Sequence, residues 1–111
     1  MISYRKACQI AYDKYKEIGY VGLQYDAVDL ETEWIFTCYL KVTLYGGISM
    51  LGVAKETGKT RWISVPEYAE IGFTQSRKLV GVINEYVHDD VKRYAVKVDP
   101  DSEEEHSGSE A

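Results

Sequence analysis

The chain has 111 residues, 45% of them hydrophobic, and a formal net charge of -5. That length fits one domain, and no apolar run is long enough to cross a bilayer. The acidity is uneven: residues 99–111 hold six acids and no Lys or Arg, which leaves 12 acids against 13 bases in residues 1–98. A nearly neutral body argues against nucleic acid as the partner. The opening Met-Ile-Ser-Tyr-Arg-Lys-Ala lacks the apolar core of a signal peptide, so the expected location is cytoplasmic. Two cysteines, Cys8 and Cys38, are too few for a disulfide framework and read as buried free thiols.

Residues 3–18 predict a helix capped by Ser3. Tyr4, Ala7, Cys8, Ala11, Tyr15 and Ile18 form its apolar stripe, and Gly19 ends it. Residues 20–31 predict a strand with Val21, Leu23, Tyr25 and Ala27 on one face. The apolar phase then moves to Val28 and Leu30, which predicts a bulge or bend near Asp26–Asp29. Glu31-Thr32-Glu33 turns the chain.

Residues 33–45 predict the longest strand. Trp34, Phe36, Cys38, Leu40, Val42 and Leu44 share an apolar face; Ile35, Thr37, Tyr39, Lys41, Thr43 and Tyr45 share a mixed one. Gly46-Gly47 signals a hairpin, residues 48–54 the next strand, and Gly58 a turn that needs positive φ. Residues 60–65 return as a strand with Ile63 and Val65 toward the core and Trp62 the other way, stopped by Pro66. Residues 67–73 read as a linker or a single helical turn. From Thr74 or Ser76 the spacing of Leu79, Val82, Ile83, Tyr86, Val87, Val91 and Tyr94 predicts a second long helix. The tail, residues 99–111, is expected to be disordered.

These elements predict an α+β domain over residues 1–98: a four-stranded antiparallel sheet with an N-terminal and a C-terminal helix. A cystatin-like or NTF2-like layout, a helix wrapped by an antiparallel sheet, fits the same order.

Chemical motifs are sparse. Gly46-Gly47 and Gly58 sit in hairpins, not between a strand and a helix, so no phosphate loop is present. Glu85 and His88 are three apart on the predicted helix but lack further ligands. Cys38, mid-strand on an apolar face, is a poor nucleophile. No cofactor or metal is expected, and no catalytic residue stands out. Asp26, Asp29, Glu31 and Glu33 crowd one short stretch, and ten tyrosines with two tryptophans supply large amphipathic rings of the kind common at protein interfaces.

The opening Ile-Ser-Tyr-Arg-Lys-Ala helix, Glu33-Trp34-Ile35-Phe36, and Val53-Ala54-Lys55-Glu56-Thr57-Gly58 running into Trp62-Ile63-Ser64-Val65-Pro66 resemble the YrhB-like immunity protein family, called immunity protein 35, over about residues 2–70. The resemblance implies a small bacterial α+β protein that binds and neutralises a cognate toxin without catalysis. On that reading Asp26, Asp29, Glu31 and Glu33 mimic phosphates toward a nuclease partner, and Trp34, Tyr45 and Trp62 serve as aromatic anchors. Two alternatives stay open: a small-ligand-binding or enzymatic domain of the cystatin/NTF2-like kind, and a self-associating structural protein such as a homodimer.

Overall fold

In the computed structural model, residues 1–39, 49–76 and 78–94 are described. Helix α1 (Tyr4–Glu17) is followed by strands β1 (Asp26–Asp29), β2 (Glu33–Phe36), β3 (Met50–Ala54) and β4 (Thr60–Ile63). Helix α2 (Val65–Thr74), strand β5 (Lys78–Gly81) and two 3-10 helices (Asn84–Tyr86 and Asp89–Tyr94) complete the order. The sheet is open, with order β4-β3-β2-β1-β5 and every neighbouring pair antiparallel. This is the expected α+β class, with five strands among the described residues where four were predicted.

Local chemistry explains the first helix. The Ser3 hydroxyl accepts from the Lys6 N–H at 3.0 Å, and Lys14 and Lys16 complement the dipole in the last turn. Ala7, Cys8 and Ala11 are fully buried, so α1 lies close on the sheet. Its stripe packs on Trp34, Phe36, Leu51, Val53 and Val82. Gly19 has φ +98°, as its place after the helix requires. Ile18, assigned to the buried stripe from its spacing, is exposed instead, because the helix has already ended there.

A second core lies on the other face, where Val28, Leu30, Ile35, Met50 and Ile63 meet Ile71 and Tyr68 of α2. The sheet is therefore covered on both sides. That is why the apolar phase of residues 20–31 shifts: Leu23 and Ala27 face α1, while Val28 and Leu30 face α2. A bend is also present, at Tyr25. Leu23 bridges Cys38 while Val28 pairs with Ile35, so five residue steps on one chain match three on the other. Two extra residues keep Leu23 and Ala27 on one face, because side-chain parity has period two.

The C-terminal third departs most from expectation. Residues 65–74 form a full helix where a linker or a single helical turn was predicted, and residues 78–81 are a strand where a long helix was predicted. The Ser64 hydroxyl caps α2 by accepting from the Glu67 N–H, and Pro66 sits in the first turn, where its missing N–H costs nothing. Pro66 thus starts a helix rather than merely stopping a strand, and Val65 is an exposed helical residue, not a core one. Gly81 and the β-branched Val80, Val82 and Ile83 disfavour a helix. Val80 instead pairs with Ala27 and Gly81 with Asp26.

Topology also demands α2. Four successive antiparallel pairings leave β4 and β5, the two edges, running in the same direction. A hairpin cannot join parallel strands, so a crossover must span the sheet. The helix, about 15 Å long by its ten residues, crosses the face opposite α1. After β5 the chain comes back beside residues 22–24. Leu23 donates to Tyr86 O at 2.9 Å, and the His88 N–H donates to Leu23 O at 3.0 Å.

Candidate protein-binding surface

Tyr15 is fully buried beneath the sheet edge. Its hydroxyl donates to Ser49 O at 2.8 Å and lies 3.3 Å from Phe36 O. Trp62 stands edge-on to the Tyr15 ring, with centroids 5.3 Å apart, and Tyr20 meets the same ring at 6.4 Å. Trp62 pairs with Leu51, which places it on the α1 face of edge strand β4. It faces away from Ile63 as the alternation predicts. Both faces of the sheet are core, however, so the ring leans on α1 while 42% exposed.

Just past the end of α1, Ile18 and Val21 are 54% and 63% exposed. A half-exposed indole packed on a buried ring has the character of a protein-binding anchor: it buries area with little loss of side-chain freedom.

The four acids do not converge. Asp29 accepts from Lys55, whose Nζ also stands 5.0 Å from the centre of the Trp34 ring. Glu33 takes both nitrogens of an Arg61 fork at 2.8 and 3.1 Å, while Arg61 also reaches Glu67 at 2.6 Å. Glu31 is exposed in the two-residue turn closed by Leu30 N–H to Glu33 O. Asp26 lies at the far end of β1, on the α2 face. Asp29 and Glu33 are thus engaged internally, on opposite faces.

Trp34 is buried and edge-on to Tyr4 at 5.3 Å, so it is a core residue. Tyr45, the Gly46-Gly47 hairpin, the far half of the predicted long strand and the acidic tail lie outside the described residues.

Asp26 borders a cleft of about 90 Å³ between β1, β2, α2 and β5. Burial raises its carboxyl above the usual range, partly offset by its own backbone N–H. Cys8 and Cys38 are buried and not joined in a disulfide, and burial pushes the Cys38 thiol up to about 11. Among the described residues no group of three His, Cys, Asp or Glu could hold a metal ion, and no helix is long and apolar enough to cross a membrane.

Sequence reasoning named Trp62 but missed Ile18, Val21 and the cleft. The cleft depends on Tyr68, predicted in a linker or single helical turn, and on Leu79, predicted in a helix stripe. The Ser64-Val65-Pro66-Glu67 capping pattern was the signal that could have corrected both.

No protein-family model, curated protein or solved structure matches this chain.

Proposed function

We propose that the chain is a non-catalytic protein-binding module, an immunity protein that neutralises a cognate bacterial toxin in the cytoplasm by stoichiometric binding. The observation that carries this reading is the half-exposed Trp62 ring held edge-on against buried Tyr15. Inhibition then comes from covering a groove on the toxin with the Trp62 surface. Phosphate mimicry by the acids is the weaker part of the reading, since Asp29 and Glu33 already have cationic partners; Glu31 is the acid best placed to meet a partner.

A second reading is favoured by β4 itself, an edge strand among the described residues. Edge strands pair readily with another chain, so a homodimer through β4 would use the same surface. The cystatin/NTF2-like small-ligand reading places function elsewhere, in a pocket between helix and sheet.

The test is affinity capture from the organism that encodes the chain, using the tagged wild type and Trp62→Ala as parallel baits. Recovery of one stoichiometric partner with a toxin-like domain, lost with Trp62→Ala, is the expected result. Recovery of the chain alone, with a compact oligomer in light scattering, would overturn the immunity reading in favour of self-association.

A further inference from the structure

The cleft beside Asp26 lies on the sheet face opposite α1, away from the Trp62 surface. Val28, Ile35, Met50 and Leu79 line it together with Asp26, Thr37 and Tyr68, and the polar share of its surface is the larger one. Among the described residues no Lys, Arg or His forms an ion pair with Asp26, whereas Asp29 and Glu33 in the same sheet each have one. A partly buried carboxylate is unfavourable until a cation neutralises it. An ammonium on an aliphatic stem satisfies both parts of such a site. Its three N–H donors match a lining of oxygen acceptors, and its methylenes cover the walls.

We propose that this cleft is a binding site for a primary alkylammonium group, with Asp26 as its counter-ion and Leu79 at its mouth. Leu79 is 65% exposed, so the cleft is reached from the β5 side without unfolding the sheet. The raised carboxyl of Asp26 is consistent with an acid whose charge is completed by a ligand. The site does not rest on the immunity reading: toxin binding through Trp62 and amine binding at Asp26 use opposite faces of the sheet.

The test is a two-dimensional amide NMR titration of the full chain with n-butylammonium chloride. Neutral n-butanol at the same ionic strength is the control, and N-acetyl-lysine methylamide a parallel ligand. The expected result is saturable shifts at Asp26, Met50 and Leu79 with the ammonium and none of that pattern with the alcohol. Binding should weaken at least tenfold in Asp26→Asn. Leu79→Arg, an exposed change that brings a cation to the mouth, should weaken it comparably, which covers the case in which the Asn variant misfolds. A response to acetyl-lysine methylamide would identify a lysine side chain as an acceptable source, and a response to butylammonium alone would restrict the site to small amines. Equal shifts with butanol, or unchanged affinity in both variants, would overturn the proposal.

Discussion

The Tyr15 hydroxyl donates to Ser49 O at 2.8 Å and lies 3.3 Å from Phe36 O, so one α1 side chain holds together the end of β2 and the approach to β3. It does so from a fully buried position that also supports the Trp62 ring. Tyr15→Phe keeps the ring and removes the donor, leaving a buried carbonyl short of a partner. The expected loss is about 1–2 kcal/mol, read as a lower urea midpoint with unchanged slope. Tyr15→Ala removes the ring as well and should cost about 3–5 kcal/mol.

Trp62→Ala separates binding from folding. The indole is 42% exposed and its buried part packs on Tyr15, so its loss should lower stability by about 2–3 kcal/mol. If Trp62 is the anchor of a protein interface, partner affinity should fall by about 2 kcal/mol or more, some 30-fold. Calorimetric titration against the captured partner measures the second quantity, and thermal unfolding the first.

Gly19 and Gly22 make a paired test of backbone strain against steric exclusion. Both have positive φ, +98° and +100°. A Cβ on Gly19 would meet nothing within 4 Å, while one on Gly22 would lie 2.4 Å from His88 Cα. Gly19→Ala should therefore cost about 1 kcal/mol, the left-handed penalty alone. Gly22→Ala should cost about 3 kcal/mol or more, since backbone must move. Faster amide exchange at Leu23, which donates to Tyr86 O, and at His88, which donates to Leu23 O, is expected in Gly22→Ala only.

Alkaline stability depends on Cys38. Burial raises its thiol from 9.0 to about 11, so the native state holds its proton at pH values where the unfolded chain has lost it. Stability is then fully present below pH 9 and falls as pH rises through about 11. The loss from this group is on the order of 2 kcal/mol. Cys38→Ala should flatten that part of the stability–pH curve in urea melts taken between pH 8 and 11. An unchanged slope would assign the alkaline loss to other groups.

Arg61 bridges Glu33 and Glu67. The guanidinium is about half exposed, but the Glu33 side chain is only 12% exposed. Arg61→Gln should cost about 1 kcal/mol, discounted for solvent screening, and the cost should shrink in high salt. A larger, salt-independent loss would show that Glu33 behaves as a buried charge. Gly52→Ala acts on the same cluster: its Cβ would come within 2.5 Å of Glu33 Oε1 and 3.0 Å of Ile63 Cδ1, so it should displace the carboxylate from Arg61.

The Ser3 cap, the α1 stripe, the Gly19 stop, the Glu31–Thr32 turn and the Gly58 turn were all legible in the sequence because each rests on contacts within a few residues. Trp34 and Phe36 were assignable to the α1 face because side-chain parity along a strand is local. Residues 65–94 were misread because their apolar spacing suits a helix stripe as well as a strand followed by 3-10 turns. Pairing with β1 resolves that ambiguity, and β1 lies some fifty residues earlier in the chain.

For the candidate site, Trp62 was visible as a large ring at a strand position, but its support by Tyr15 was not, because the two are joined only through the stacking of α1 on the sheet. The acids looked like a cluster because they are neighbours in sequence. Alternation and pairing send Asp29 to Lys55 on one face, Glu33 to Arg61 on the other, and Asp26 to the cleft. By itself, then, the sequence determined the class of fold, the first helix and the local turns, since caps, glycines and periodicity act at short range. Only the tertiary structure decided that β4 and β5 are parallel edges joined by α2, that both faces are covered, and that Asp29 pairs with Lys55 and Glu33 with Arg61. Those outcomes depend on which distant segments pack together, and short-range preferences do not encode that.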